Sequence, residues 1–294
     1  MKCSELSHTF LLKSATIAAV SVAALLIVGK TYAYRLTGSL SIEASLLDSL
    51  LDGFVSIINF FAVRQALTPA DDDHRFGHGK VEALAGLFQS LFIAGSSIWL
   101  LKEVVFRITS PETVIYNAAA VGVMVAATVL TLILVLWQRY VIKRTNSIAI
   151  AADSLHYQTD IATNIGVLIS FFLSAFFSIP AIDCIVAVLI AIYIFKTSYE
   201  IGRCSFDILM DRELPDTIAD QIKALAWQHP SVRGVHDLRT RSSGQHTFIQ
   251  MHLDLDANLT LHDSHEISED IEQKVIAMFP DADIIIHQDP YYGK

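Results

Sequence analysis

TVIYNAAAVGVMVAATVLTLILVLWQ, residues 113–138, runs for 26 residues without a charged side chain. Ala83–Leu101 and Ile161–Ile182 are two further uncharged stretches. A bilayer core is roughly 30 Å thick, and about 20 mostly apolar residues in a helix cross it. A soluble core able to bury all three runs is too large for 294 residues. Hydrophobic residues make up 53% of the chain, charged residues 17%, and mean hydropathy is +0.47. The chain reads as a membrane protein.

Working outward, six membrane helices are expected: Phe10–Tyr34, Leu40–Arg64, Val81–Arg107, Thr113–Val141, Ser147–Phe177 and Pro180–Phe206. Breaks fall at Leu36-Thr37-Gly38, Thr68-Pro69-Ala70, Ser110-Pro111 and Ser178-Ile179-Pro180. The first helix lacks a small-residue cleavage site after it and is read as retained. The fourth, with its long uncharged run, is expected to face lipid over much of its surface. Lys2, Lys13, Arg64, Arg75, Lys80, Arg139, Lys143 and Arg144 collect on one side. Lys30, Arg35 and Arg107 lie on the other, so the basic bias puts both termini in the cytoplasm, as in a bacterial inner membrane protein.

The pattern changes after Asp211. Two domains are expected, a transmembrane one over 1–211 and a small cytoplasmic one over 212–294. Asp216–Gln228 and Leu261–Phe279 read as helices. Gly234–Arg241, Gln245–Asp256 and Asp283–Gln288 read as strands, the last ended by Pro290. Ile249, Met251, Leu253 and Leu255 alternate with polar residues, the period of a half-buried strand. The order αββαβ predicts an α+β fold with helices on one face of a sheet. From Arg212 to Lys294 seven basic residues face fourteen acidic ones, and seven of the eleven histidines lie there. That balance excludes a nucleic-acid surface, which needs a basic face. It suits divalent cations.

Two membrane helices carry ionisable residues deep in apolar sequence. Asp48 and Asp52 lie in the second helix, His156 and Asp160 in the fifth. Each pair is spaced i, i+4, which puts both members on one helix face. A carboxylate at mid-bilayer costs about 2.5–3.5 kcal/mol on insertion scales, so these groups face the bundle interior. Their mutual repulsion needs a cation, and three carboxylates with one imidazole suit tetrahedral zinc. Such hard ligands also admit cadmium, iron(II) or manganese. A second cluster, Asp71-Asp72-Asp73-His74-Arg75-Phe76-Gly77-His78, follows the second helix. There His74 and His78 share a helix-turn face with an Asp. The third cluster is in the tail: His236, His252, His265, His287 and Asp289. His287 and Asp289 are two apart on a strand and point the same way.

Other chemistries lack their parts. Cys3, Cys184 and Cys204 form no CxxC. His265-Glu266 opens like a zinc-protease motif, but Glu269 stands where the second His belongs. There is no Gly-rich phosphate loop, so neither an enzyme nor an ATP-driven pump is expected.

The chain resembles the cation diffusion facilitator family, and closely its bacterial zinc and ferrous-iron efflux members. The resemblance rests on the DxxxD ending Ser49-Leu50-Leu51-Asp52, on Phe76-Gly77-His78-Gly79-Lys80, and on Ala152-Asp153-Ser154-Leu155-His156-Tyr157 leading to Asp160. It implies a transport site of Asp48, Asp52, His156 and Asp160, and a loop site of Asp71, His74 and His78. It implies a paired-metal site in the tail from His236, His252, His265, His287 and Asp289, with Gln288 nearby. A homodimer, a metallochaperone-like tail with regulatory zinc, and a Lys80–Asp211 ion pair are also implied. The expected mechanism is metal/proton antiport by alternating access. A free imidazole titrates near about pH 6.5, and an imidazolium has no lone pair for metal, so protons and metal compete at His156.

Overall fold

A computed structural model of the chain describes residues 2–37, 40–109, 118–177, 181–244 and 246–293. The expected breaks at Ser110-Pro111 and Ser178-Ile179-Pro180, and the expected start of the fourth helix at Thr113, lie outside them. The chain divides into a unit over Lys2–Phe206 and a second that begins at Asp207. The expected boundary after Asp211 falls just inside the second.

Among the described residues the first unit is built from six long helices: α1 (Lys2–Thr37), α2 (Leu40–Ala66), α3 (Lys80–Thr109), α4 (Ala118–Thr145), α5 (Ile148–Phe177) and α6 (Ala181–Leu209). Four stretches among those residues have the length and apolarity to cross a bilayer: His8–Leu36, Leu46–Ala66, Lys80–Lys102 and Val125–Thr145. Large apolar side chains such as Phe54, Phe61, Phe88, Trp99 and Ile133 point outward. That arrangement suits lipid, where only backbone groups need internal partners. Small residues lie inside: Ala15, Ala19 and Ala23 form a buried stripe one turn apart along α1. Such stripes let helices approach closely. α1 packs along α2 and α4, and α5 lies against α3 and α4.

The fourth helix faces outward over much of its surface, as expected, with Val129, Ile133, Leu136 and Tyr140 exposed. It puts Thr131, Leu134, Val135, Gln138 and Val141 in the interior. Gln138 decides this, because its amide has a buried carboxylate to bond, described below. The uncharged run thus carries one outward apolar face and one face that packs.

α5 starts at a defended N-terminus. Ser147 Oγ accepts from the backbone N–H of Ile150 at 3.3 Å, a helix cap. Buried Glu82 of α3 hydrogen-bonds Ser147 and the backbone at Ile148 and Ala149. An acidic group there favours the helix dipole. One turn along α3, Gly86 permits the close approach: a Cβ on it would lie 2.7 Å from Ile148 Cγ2 and 2.9 Å from Ser205 Oγ.

The second unit contains α7 (Asp216–Trp227), β1 (Val232–Ser243), β2 (His246–Asp256), α8 (Leu261–Met278) and β3 (Ala282–Tyr291). β1 and β2 form an antiparallel hairpin, and α8 carries the chain across so that β3 joins β2 in parallel. The sheet order is β1-β2-β3. The alternation read in β2 is visible in burial: Ile249, Met251, Leu253 and Leu255 meet Ile222 and Ala226 of α7 and Ile267, Ile271 and Val275 of α8. β3 does not stop at Pro290. It pairs Pro290 with Leu255 and Tyr291 with Asp256, since an edge strand tolerates a residue without an N–H.

Gly86→Val is expected to force α3 and α5 apart, costing about 1–3 kcal/mol by overpacking. Thermal melting of the detergent-solubilised protein should show the loss. Gly95→Ala, where an added Cβ meets nothing within 4 Å, should melt like the parent.

Candidate metal centre

Three side chains from α2 and α5 converge inside the membrane unit. His156 Nε2 lies 2.8 Å from Asp52 Oδ1. Asp52, His156 and Asp160 each offer a ligand atom, and those atoms all lie within 4.8 Å of one another. His156 is buried, and the two carboxylates are half-buried. The i, i+4 spacing in α5 delivers both of its members to one point. Asp48 is not among the three: it lies one turn from Asp52 on α2 and is exposed.

Neighbouring contacts set the pose of α5. Tyr157 Oη and Ser56 Oγ hydrogen-bond at 2.8 Å, tying α5 to α2 beside the cluster. One turn before His156, Asp153 is buried among amides from three helices. Gln138 Nε2 donates to its Oδ2 at 2.7 Å, and Asn59 Nδ2 to its Oδ1 at 3.1 Å. Gln89 Nε2 reaches the same Oδ1 at 3.5 Å, while Asn59 also donates to Gln89 Oε1 at 2.6 Å. A carboxylate in such a place is tolerable because donors surround it. Gln138 Oε1 is left buried without a partner.

The loop between α2 and α3 gathers a second group. Asp71, His74 and His78 hold their ligand atoms within 4.8 Å of one another. Asp71 Oδ1 is 3.3 Å from His74 Nδ1, and its Oδ2 is 3.4 Å from His78 Nε2. The scaffold is a loop and not the helix turn expected: Gly77, at φ 76°, turns the chain, and its N–H donates to His74 O at 2.9 Å. Of the three consecutive aspartates, Asp72 turns away to Arg75 at 3.0 Å. The His74 backbone N–H donating to Asp71, helped by the His74 imidazole, holds that carboxyl below the usual range. His78 is buried, and its Nδ1 has no partner.

The third group lies across the sheet. Strand register puts His236 opposite His252 and His252 opposite His287. Their rings follow one another at 5.2 and 4.7 Å. Asp289 joins them: its Oδ2 is 2.7 Å from His252 Nδ1 and 3.4 Å from His236 Nε2, and its Oδ1 is 3.4 Å from His287 Nε2. The hydrogen bond with His252 is the main reason its carboxyl sits below the usual range. Asp254 adds an oxygen 3.3 Å from His236 Nε2. Its carboxylate leans over Gly234, where any Cβ would collide with it. Three imidazoles around a carboxylate fit a borderline metal such as zinc. His265 is exposed on α8 and does not join the group. Gln288 points to the other face, where its amide donates to Ser268 Oγ at 2.8 Å.

Both units have counterparts. Residues 16–210 match the description "Cation efflux transmembrane domain", and residues 214–291 match "Cation efflux protein, cytoplasmic domain". The chain belongs to the cation diffusion facilitator family. Similar relatives carry the name "Cation-efflux pump FieF". That of Shewanella oneidensis is 46% identical over 283 residues, covering 96% of this chain and 95% of the relative. That of Cronobacter sakazakii is 43% identical over 280 residues, covering 95% and 93%. That of Serratia proteamaculans is 42% identical over 286 residues, covering 97% and 95%. This facilitator is therefore a membrane protein of cation efflux, with an apolar helical domain followed by a small α+β domain.

Sequence reasoning missed several residues of these groups. Asp153 belongs to the quoted motif but has no expected role there, and neither do Asn59, Gln89 and Gln138. A polar amide inside each of three apolar helices was the available signal. Lys30 falls within the expected first helix and is buried in α1.

Asp153→Asn turns an acceptor oxygen into a donor facing amide donors. It is expected to cost about 1–3 kcal/mol as an unsatisfied buried group. Melting of the purified facilitator should fall accordingly, and metal flux with it as α5 loses its pose.

Proposed function

We propose that the protein exports divalent transition-metal cations from the cytoplasm in exchange for protons, with zinc as the foremost cargo. Cadmium, iron(II) and manganese are accepted by the same ligands. The observation that carries this reading is the meeting of Asp52, His156 and Asp160 inside an apolar bundle. Two carboxylates and an imidazole there have no lipid-facing use, and a divalent ion relieves their repulsion. Asp48, one turn away on the same helix, supplies the fourth ligand, a third carboxylate, when α2 turns it inward. The names of the relatives, cation-efflux pumps, support the direction.

The mechanism is alternating access. The ion enters from the cytoplasm, the bundle rocks around the site, and protons from the far side displace the ion. His156 is the proton partner, because an imidazolium cannot donate a lone pair to metal. Asp52, hydrogen-bonded to the same ring nitrogen, steadies the charged imidazole once metal has left. The loop group of Asp71, His74 and His78 offers a staging site outside the span.

The cytoplasmic group of His236, His252, His287 and Asp289 would hold regulatory metal. The donor set fits that role: three imidazoles already converge on one carboxylate. Metal bound there stabilises a homodimer by preferring the folded, paired form. Both termini are cytoplasmic, and the bilayer is a bacterial inner membrane.

Zinc flux into proteoliposomes under an imposed pH gradient tests the reading. Asp52→Ala is expected to abolish it, and collapsing the gradient to slow it. His252→Ala is expected to leave the maximal rate within about threefold, because it touches a regulatory and not a transport ligand. Flux untouched by Asp52→Ala would overturn the assignment.

A further inference from the structure

Lys30 is buried in the membrane unit, with 9% of its surface exposed, inside the span His8–Leu36 of α1. Its Nζ donates to Ser49 Oγ at 2.6 Å. Ser49 is itself buried and stands on α2 between Asp48 and Asp52. The ammonium is thus fixed beside the transport carboxylates. Its charge acts on Asp52, Asp160 and Asp48. An intramembrane lysine is costly, and its place here is explained by acidic company. An ammonium has three donors and no lone pair, so it binds no metal.

We propose that Lys30 is a resident counter-charge of the transport site, a positioning residue that loosens its hold on the divalent ion and permits release. The inference rests on the transport site proposed above. Three ionised carboxylates, one divalent ion and Lys30 together are neutral. Without the ammonium a negative charge stays uncompensated around the bound ion, and the ion is held too tightly to leave. Ser49 supplies the tether that keeps the ammonium beside the carboxylates without entering the ligand shell. Transport needs binding that is favourable enough to enter and weak enough to exit.

Zinc flux by the full-length protein in proteoliposomes, read as KM and kcat, tests this. Lys30→Met, matched in length and uncharged, is expected to lower KM roughly tenfold, the direction Coulomb's law requires, and to lower kcat with it. Lys30→Arg keeps the charge, and its KM should stay within about threefold of the parent. A role in packing alone would move the two variants alike, and that result would overturn the proposal. So would a KM that is unchanged or raised in Lys30→Met. If Lys30→Met does not fold, Lys30→Gln, which keeps a donor for Ser49, is judged by the same criteria. Asp52→Ala is run in parallel. Flux surviving it sinks the transport site itself, whereas flux lost there with an unmoved KM in Lys30→Met sinks the lysine alone.

Discussion

Charged groups taken out of water must find partners, and the membrane unit is organised around that demand. Asp52 and Asp160 sit where lipid surrounds the bundle, and the 2.8 Å contact from His156 to Asp52 bridges α2 and α5. Around it, several further polar groups are answered. Tyr157 meets Ser56, Lys30 meets Ser49, and Asp153 meets three amides. The apolar remainder of each helix is then free to face lipid, which is where Phe54, Phe61 and Trp99 are found.

Holding α5 is the second requirement, since it carries half of the site. Three devices act along its length. Glu82 and Ser147 engage its first turn, the Asp153 network grips it one turn before His156, and Tyr157 ties it to α2 beside the ligands. The partners come from α2, α3 and α4, so a shift of α5 must be shared by the helices around it. Polar contacts of this kind have discrete arrangements, which suits a transporter that passes between two forms.

The cytoplasmic unit reaches a similar result by other means. Strand register lines His236, His252 and His287 along one row of the sheet, and Asp289 on the edge strand closes on all three. The opposite face carries the apolar alternation of β2 against α7 and α8. One face thus builds the core and the other gathers the histidines and Asp289, a division that the period of two imposes on any strand.

Much of this was legible beforehand because it is local. Apolar run length sets the spans, the i, i+4 pairs put Asp52 on its helix face and His156 with Asp160 on theirs, and alternation in β2 names its buried side. The loop and tail clusters were legible as gatherings of His and Asp, and the family resemblance gave them their expected roles. Contacts between distant segments were not legible, because periodicity says which face a residue occupies and nothing about what meets it. That is why the partner of Lys30 and the amides around Asp153 came only with the packed helices. It is also why Asp48 and Asp52 looked equivalent, though one joins the cluster and the other is exposed. Chemistry of individual residues and spacing along one helix belong to the chain order. Which helices touch, and so which buried charge finds which partner, is decided when packing and desolvation are satisfied together.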